Sequence, residues 1–340
     1  MDDVKKGLLA LAEGLPEKDW LTEYLSELSA KETIQLSAAV MKDAPRTGED
    51  ALERVLTAPA YEVLYPAGNH AELGRYYLDH EADFPSPLLP YVDLSALGQL
   101  YEDEAPGVFT GDCYVISPSP QSIRMNRISA YDTDWSVKLK LASEKCPDGV
   151  WLRLPDIYML DKGAPAGELA LALHALGEDK LQDCELLEAR CVLPQIHDLM
   201  EQYDDIEELV RDGNDLGFVL EERGQGMPDF MERFSAALDL EDCHDLKLAL
   251  DISQNLRCYD YIKADSLRAY AQKELEKMGV ELQTAPLADA CIDYSEFGAD
   301  LLDQQGYQIA ADGSGYIRRN GNEFLYERSC ASENTMHMSL

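Results

Sequence analysis

Fifty residues near the middle of the chain, 201–250, hold 15 Asp and Glu against 4 Lys and Arg. The same stretch keeps apolar residues at helical spacing: Ile206, Leu209, Val210, Leu216 and Leu220. A disordered acidic tail lacks such a stripe, because it has too little apolar surface to offset its ordering entropy. The pattern predicts a folded helix with carboxylates along its outer face. The whole chain is acidic as well, with a formal net charge of −36. Such a surface repels nucleic acid and anionic membranes and attracts basic proteins.

Length and composition set the frame. At 340 residues and 46% hydrophobic content, the chain can fold into two or three domains with their own cores. The N-terminal apolar run is too short for a signal peptide and has acids on both sides, and no stretch is long enough to span a bilayer. These features point to the cytoplasm. Eight cysteines occur without a C-x-x-C pair, and six histidines without an H-x-x-x-H or H-E-x-x-H group. The expectation is reduced, mostly buried thiols, with no metal and no cofactor.

Helical periodicity covers residues 4–42 and continues through 51–103, with a short strand or turn at 61–65 and a strand at 109–117. Asp93 or Ser95 is the expected N-cap of the helix after Tyr91, and SPSPQS (117–122) the expected linker. Alternation in SVKLKLAS, the strand VWLRL, the helix AGELALALHALGE and the strand CELLEARCVL predict a small α+β domain. Further on, LRCYDYIKADSLRAYAQKELEKMG reads as a helix capped by Asp265 and ended by Gly279. Hairpins are expected at DGSG and NGN. The fold class is α+β: an elongated array of small domains, with helical modules and short hairpins or sheets. The expected boundaries are 1–121, a helical repeat module; 122–195, a small α+β domain; 196–257, the acidic helical domain; 258–328, a C-terminal α+β domain; and a 329–340 tail.

The first and last thirds look alike. YVDLSALGQLYED (91–103) sets against CIDYSEFGADLLD (291–303), matching Asp93/Asp293, Ser95/Ser295, Gly98/Gly298 and Asp103/Asp303. Upstream the pairing is Leu73/Leu267 and Tyr76/Tyr270. Further back it is Trp20/Phe230, Tyr24/Phe234, Leu28/Leu238, Leu36/Leu246 and Ala39/Ala249. This reads as a diverged duplication of a helical module of about 110 residues.

No P-loop, dinucleotide glycine fingerprint or nucleophile elbow is present. Asp183 with Glu188 and Arg190 resembles the acid spacing of metal-dependent nucleases, but a solvated strand face accounts for it better. Helical carboxylates at i, i+3 and i+4 stand about 4.5–6 Å apart along the axis. Duplex DNA presents one negative charge per roughly 1.7 Å of axis, both strands counted. Glu296, Asp300 and Asp303 have such spacing, as do Asp205, Glu208, Asp212 and Asp215. Acidic helices at this spacing can stand in for a row of phosphates.

LRCYDYIKADSLRAYAQKELEKMG followed by PLADACIDYSEFGADLLDQQGYQI resembles the C-terminal region of the ArdA antirestriction family, and YDDIEELVRDGNDLGFVLEE resembles its acidic helix. The resemblance covers residues 145–328 and is strongest over 256–310; the family's Asn-Gly-rich segment after the first strand is missing. The first 120 residues would then be an extra, degenerate copy of the helical modules. The resemblance implies an elongated, homodimeric, non-enzymatic DNA mimic that fills the DNA-binding groove of type I restriction-modification enzymes and protects mobile DNA. No direct contact with nucleic acid or membrane is implied. The carboxylates expected to replace phosphates are Asp204, Asp205, Glu207, Glu208, Asp212, Asp215, Glu221, Glu222, Asp229, Glu232, Asp239, Glu241, Asp242, Asp293, Glu296, Asp300 and Asp303. The alternative is a non-enzymatic acidic interaction module for another basic protein.

Overall fold

The protein is described by a computed structural model over residues 2–82, 84–118, 135–156, 167–226, 229–279 and 293–325. The expected linker falls mostly outside these residues and the 329–340 tail entirely so, as do Cys291 and Cys330. The fold is α+β, with three three-stranded sheets among the described residues. Two compact units divide it, Met1–Ala189 and Arg190–Leu340. Among the described residues no helix is long and apolar enough to cross a membrane.

The first unit opens with α1 (Asp2–Leu11), α2 (Lys18–Ser26), α3 (Ala30–Lys42) and α4 (Gly48–Thr57). The helices α3 and α4 both start in capping boxes, Ser29 with Glu32 and Thr47 with Asp50. Each box satisfies two N–H groups that a helix start otherwise leaves orphaned. A 3-10 turn at 58–60 leads into β1 (Glu62–Leu64), then α5 (His70–His80) and α6 (Leu94–Glu104). Asp93, not Ser95, caps α6, accepting from the Ala96 N–H at 3.0 Å. The expected single strand at 109–117 is a hairpin, β2 (Gly107–Thr110) and β3 (Cys113–Ile116), turning at Gly111 with φ 59°. Leu64, Ala67, Leu73, Tyr76 and Tyr114 form the core beneath it.

The second sheet contains β4 (Val137–Ala142), β5 (Val150–Leu154) and β6 (Glu185–Cys191), with β4 central. Helix α7 (Glu168–Leu176) lies between β5 and β6 in the chain. The β4–β5 hairpin is tied to the start of α3 by ion pairs Lys138–Glu27, at 3.1 Å, and Arg153–Glu32.

The second unit begins with α8 (Leu199–Gln202) and the 21-residue α9 (Ile206–Gly226), followed by α10 (Phe230–Leu240) and α11 (Leu246–Gln254). Next come β7 (Tyr259–Lys263), α12 (Leu267–Lys277), α13 (Tyr294–Gln304), β8 (Gln308–Ile309) and β9 (Gly315–Arg319). Tyr259–Lys263, ahead of the expected Asp265 cap, is a strand. Ser266, without a side-chain cap, precedes α12 in place of Asp265. Pairing with β9 along its whole length satisfies the β7 backbone groups on that edge, which helical periodicity could not anticipate. The DGSG hairpin forms between β8 and β9, but no strand follows the NGN stretch within the described residues. Instead, Asn320 and Asn322 both donate to the Arg257 carbonyl, at 2.9 and 3.1 Å.

Among the described residues the first and third sheets share one connectivity: strand, two helices, then a hairpin whose last strand lies in the middle. Their orders are β1-β3-β2 and β7-β9-β8. Asp93 and Asp293 cap equivalent helices, and Gly98 and Gly298 sit where α6 meets α5 and α13 meets α12. Elsewhere the structure shifts the register of the repeat. Gly98 faces the His70 carbonyl and Gly298 the Leu267 carbonyl, so His70 matches Leu267, and Leu73 matches Tyr270. That is three residues from the expected pairing. A three-residue slip leaves a helix face unchanged, so apolar periodicity could not detect it.

Further back the mismatch is a whole helix. In chain order α3, α4, a 3-10 turn and β1 correspond to α10, α11, a 3-10 turn and β7. This aligns Leu36-Ser-Ala-Ala-Val40 with Phe234-Ser-Ala-Ala-Leu238, Ala51 with Ala249, and Tyr61 with Tyr259. Ala38, Ala39, Ala51, Ala236, Ala237 and Ala249 are all fully buried, and both tyrosines follow the 3-10 turn directly.

Candidate partner-binding surface

The acidic stretch begins with a turn that Asp205 organises. Its Oδ1 accepts from the Glu207 N–H at 2.9 Å and its carbonyl accepts from the Leu209 N–H at 3.2 Å. Glu207 and Glu208 occupy the first turn of α9, where the helix dipole favours negative charge. Leu209, Val210 and Leu216 are buried, as the periodicity requires.

Asp212 is not part of the outer face. It lies three residues after Leu209 and four before Leu216, on the stripe that packs inward, and is 2% exposed. The Tyr203 hydroxyl donates to its Oδ2 at 2.8 Å. Burial, then the facing Asp212 carboxylate, push the Tyr203 phenol well above its usual range. Glu208 pairs with Lys247 at 2.9 Å, and that ammonium also lies 5.1 Å from the Tyr203 ring centre. Asp215 is half-buried. The row Asp205, Glu208, Asp212, Asp215 therefore borders and enters the helix packing instead of forming a free line of charge.

Other expected carboxylates are held by the fold. Asp229 and Glu232 both reach Lys263, at 2.6 and 3.5 Å. Asp239 accepts from the Gln195 side chain at 2.8 Å. Glu241 accepts from the Tyr259 hydroxyl at 2.9 Å and pairs with Arg319 at 3.2 Å. Burial, and then this hydrogen bond to a carboxylate, raise the Tyr259 phenol. Asp242 has φ 50° and faces His244 at 3.3 Å. Asp293 spends its carboxylate on the cap of α13, accepting from the Ser295 and Glu296 N–H groups at 3.0 Å. The Glu222 side chain lies outside the described residues.

What remains open is a smaller set. Asp204, Glu221, Glu296, Asp300 and Asp303 are exposed, and Glu207 is half-buried. Among the described residues none of these six has a cation within ion-pair distance. Three of them line the outer face of α13, whose inner face buries Tyr294, Gly298, Leu301 and Leu302. Steps of four and three residues set these three carboxylates about 6 and about 4.5 Å apart along the axis. The equivalent helix α6 has Ala96, Leu100 and Asp103 at these positions, and Leu100 is 62% exposed. Only the second copy thus carries the full row.

The cations that neutralise the expected acids, Lys247, Lys263 and Arg319, were not singled out in the sequence. Strand alternation and a lone lysine carry no signal about which distant acid they face. Asp183 sits in a 3-10 turn, while Glu188 and Arg190 lie on β6. Among the described residues no group of three or more His, Cys, Asp or Glu side chains is placed to hold a metal ion. Cys113, Cys243 and Cys258 are buried and Cys146, Cys184 and Cys191 partly so, all as free thiols. No family model, curated protein or solved structure matches the chain.

Proposed function

We propose that this chain is an antirestriction protein: an acidic DNA mimic that occupies the DNA-binding groove of a type I restriction-modification enzyme. The observation that carries the reading is the row Glu296, Asp300 and Asp303, exposed on α13 and, among the described residues, without a paired cation, within the stretch of strongest ArdA resemblance. Asp204, Glu207 and Glu221 on and before α9 add charge of the same kind. With a net charge of −36, long-range attraction to a basic groove supplies most of the encounter rate. Binding of this kind needs no reacting group. It replaces DNA's own phosphates, so it weakens as salt rises.

The test is a DNA-cleavage assay with a purified type I enzyme and this protein at two salt concentrations. Inhibition at low salt that falls at high salt supports the reading. Undiminished cleavage at low salt, with the protein in excess, rules it out.

A further inference from the structure

Beyond the mimic reading, and independent of it, the second unit carries a groove of different character. It is about 660 Å³ in volume and lies among the end of α10, the turn between α13 and β8, and the end of β9. Gln305, Gln308, Arg318, Arg319 and Asn320 line it, together with Glu241, one leucine and two glycines. In a chain of net charge −36 this lining holds two guanidinium groups against one carboxylate.

Both arginines are held in place. Arg318 donates from Nε and Nη2 to Asp260 at 3.1 and 3.0 Å, and from Nη1 to the Gln305 carbonyl at 3.1 Å. Its guanidinium lies 4.5 Å from the Tyr307 ring centre. Arg319 lies 4.6 Å from the Phe324 ring centre and donates from Nη1 to Glu241. Among the described residues its Nε and Nη2 have no acceptor. A guanidinium presents five donors in a rigid fork suited to carboxylate and phosphate oxygens, and fixing it on an aromatic face lowers the entropic cost of using that fork.

The first copy of the fold serves as an internal comparison. Register in the two sheets sets Ile116 opposite Glu62 and Arg318 opposite Asp260. The groove positions Gln305, Gln308, Arg318, Arg319 and Asn320 then correspond to Ala105, Val108, Ile116, Ser117 and Pro118. The framework is shared, with Ala51/Ala249, Tyr61/Tyr259 and Gly98/Gly298 retained. At these five positions every side chain has become an amide or a guanidinium. Arg318 and Asn320 serve the framework of the second copy by bonding Asp260, so the change points to a ligand chiefly at Gln308 and Arg319.

From this we infer that the groove is a binding site for a small polar ligand bearing an oxyanion, phosphate or carboxylate. Arg319 grips the oxyanion with its free donors, and the Gln308 amide and the Gln305 amide nitrogen meet the ligand's remaining polar groups, while Asn320 stays bonded to Asp260 and the Arg257 carbonyl. The volume lies within the roughly 300–1,000 Å³ range of small-molecule sites. Glu241 competes with the ligand for Arg319 and holds that side chain in position when the groove is empty.

The experiment is a titration of the full chain followed through the Arg319 Nε–H resonance in an NMR spectrum. The probes are inorganic phosphate and, separately, acetate, each at constant ionic strength against chloride. A saturating shift with phosphate alone identifies a phosphate ligand, and one with acetate alone a carboxylate ligand. Followed through the remaining resonances, Arg319→Gln is expected to weaken binding at least tenfold. Glu241→Gln, which still accepts from Tyr259, is expected to tighten it several-fold. Neither probe saturating above the chloride control overturns the inference. So does unchanged affinity in Arg319→Gln, or weaker binding in Glu241→Gln when its thermal unfolding matches the parent. Failure here leaves the restriction assay untouched, because that assay depends on the α9 and α13 carboxylates.

Discussion

Gly98 packs directly against the carbonyl oxygen of His70, so close that a Cβ at position 98 would overlap it. The equivalent Gly298 leaves 2.8 Å between such a Cβ and the Leu267 carbonyl, and 3.4 Å to the Ala271 side chain. In both copies a glycine lets two helices meet backbone to backbone. The first contact is the tighter because Gly74 faces Gly98 where Ala271 faces Gly298.

Gly98→Ala should therefore destabilise the first unit by about 3 kcal/mol, since a backbone atom cannot rotate away. Gly298→Ala should cost less, about 1–2 kcal/mol, because the Leu267 carbonyl must still move but by less than the His70 carbonyl would at Gly98. Urea denaturation of the two variants, followed by far-UV circular dichroism, checks the order.

Tyr203→Phe removes the hydroxyl that reaches buried Asp212. Loss of one donor to a buried carboxylate should cost about 1–3 kcal/mol of stability. The change should leave inhibition of a restriction enzyme intact, because Asp212 faces inward. Thermal melts alongside the cleavage assay separate the two effects.

Glu168, the first residue of α7, has a carboxyl oxygen shielded from solvent and, among the described residues, without a hydrogen bond. Burial is the main cause that raises its pKa from 4.5 to about 7, with Lys31, Ser29 and Arg153 opposing and Glu32 assisting. A folded pKa above the unfolded one means the folded state holds the proton longer. The neutral form's contribution is complete below about pH 4.5, declines as pH rises through about 7, and is lost above it. The swing is about 3 kcal/mol. Glu168→Gln should flatten this part of the profile and make the protein more stable than the parent at pH 8. Denaturant midpoints at pH 5, 6, 7 and 8 would show it; parallel curves for parent and variant would refute it.

Removing the α13 row, Glu296→Gln with Asp300→Asn and Asp303→Asn, should weaken inhibition and lower its salt dependence. Screening weakens each carboxylate's attraction to the groove as salt rises, so removing three of them flattens the salt dependence. The quartet Asp204, Asp205, Glu207 and Glu208, changed to Asn and Gln, should have a smaller effect per residue, because Asp205 is committed to the turn and Glu208 to Lys247. Asp293→Ala should cost about 1 kcal/mol of stability through the lost cap, with little change in salt slope. Equal slopes for the α13 triple variant and the parent would remove that helix from the interface.

Local signals in the sequence carried a good share of the fold. Apolar spacing marked most helices, alternation marked β4 and β5, and Asp93 was readable as a cap. The burial of Asp212 was readable too, from its place between Leu209 and Leu216, although the acid count drew attention to the opposite face. The repeat showed itself through Asp93/Asp293 and Gly98/Gly298, where a cap and a close helix contact restrict the residue type.

By itself, then, the sequence determined the α+β class, the acid-studded amphipathic helices and the presence of two like-built copies, all of which depend on contacts close along the chain. Only the tertiary structure decided that Tyr259–Lys263 is a strand, because its hydrogen bonds come from β9 more than fifty residues away. The same holds for the register of the copies and for which carboxylates remain free. Lys247, Lys263 and Arg319 neutralise Glu208, Asp229 with Glu232, and Glu241 across sequence separations of 31 to 78. Charge is a property of residue type, but the field a partner meets depends on which charges the fold has already paired.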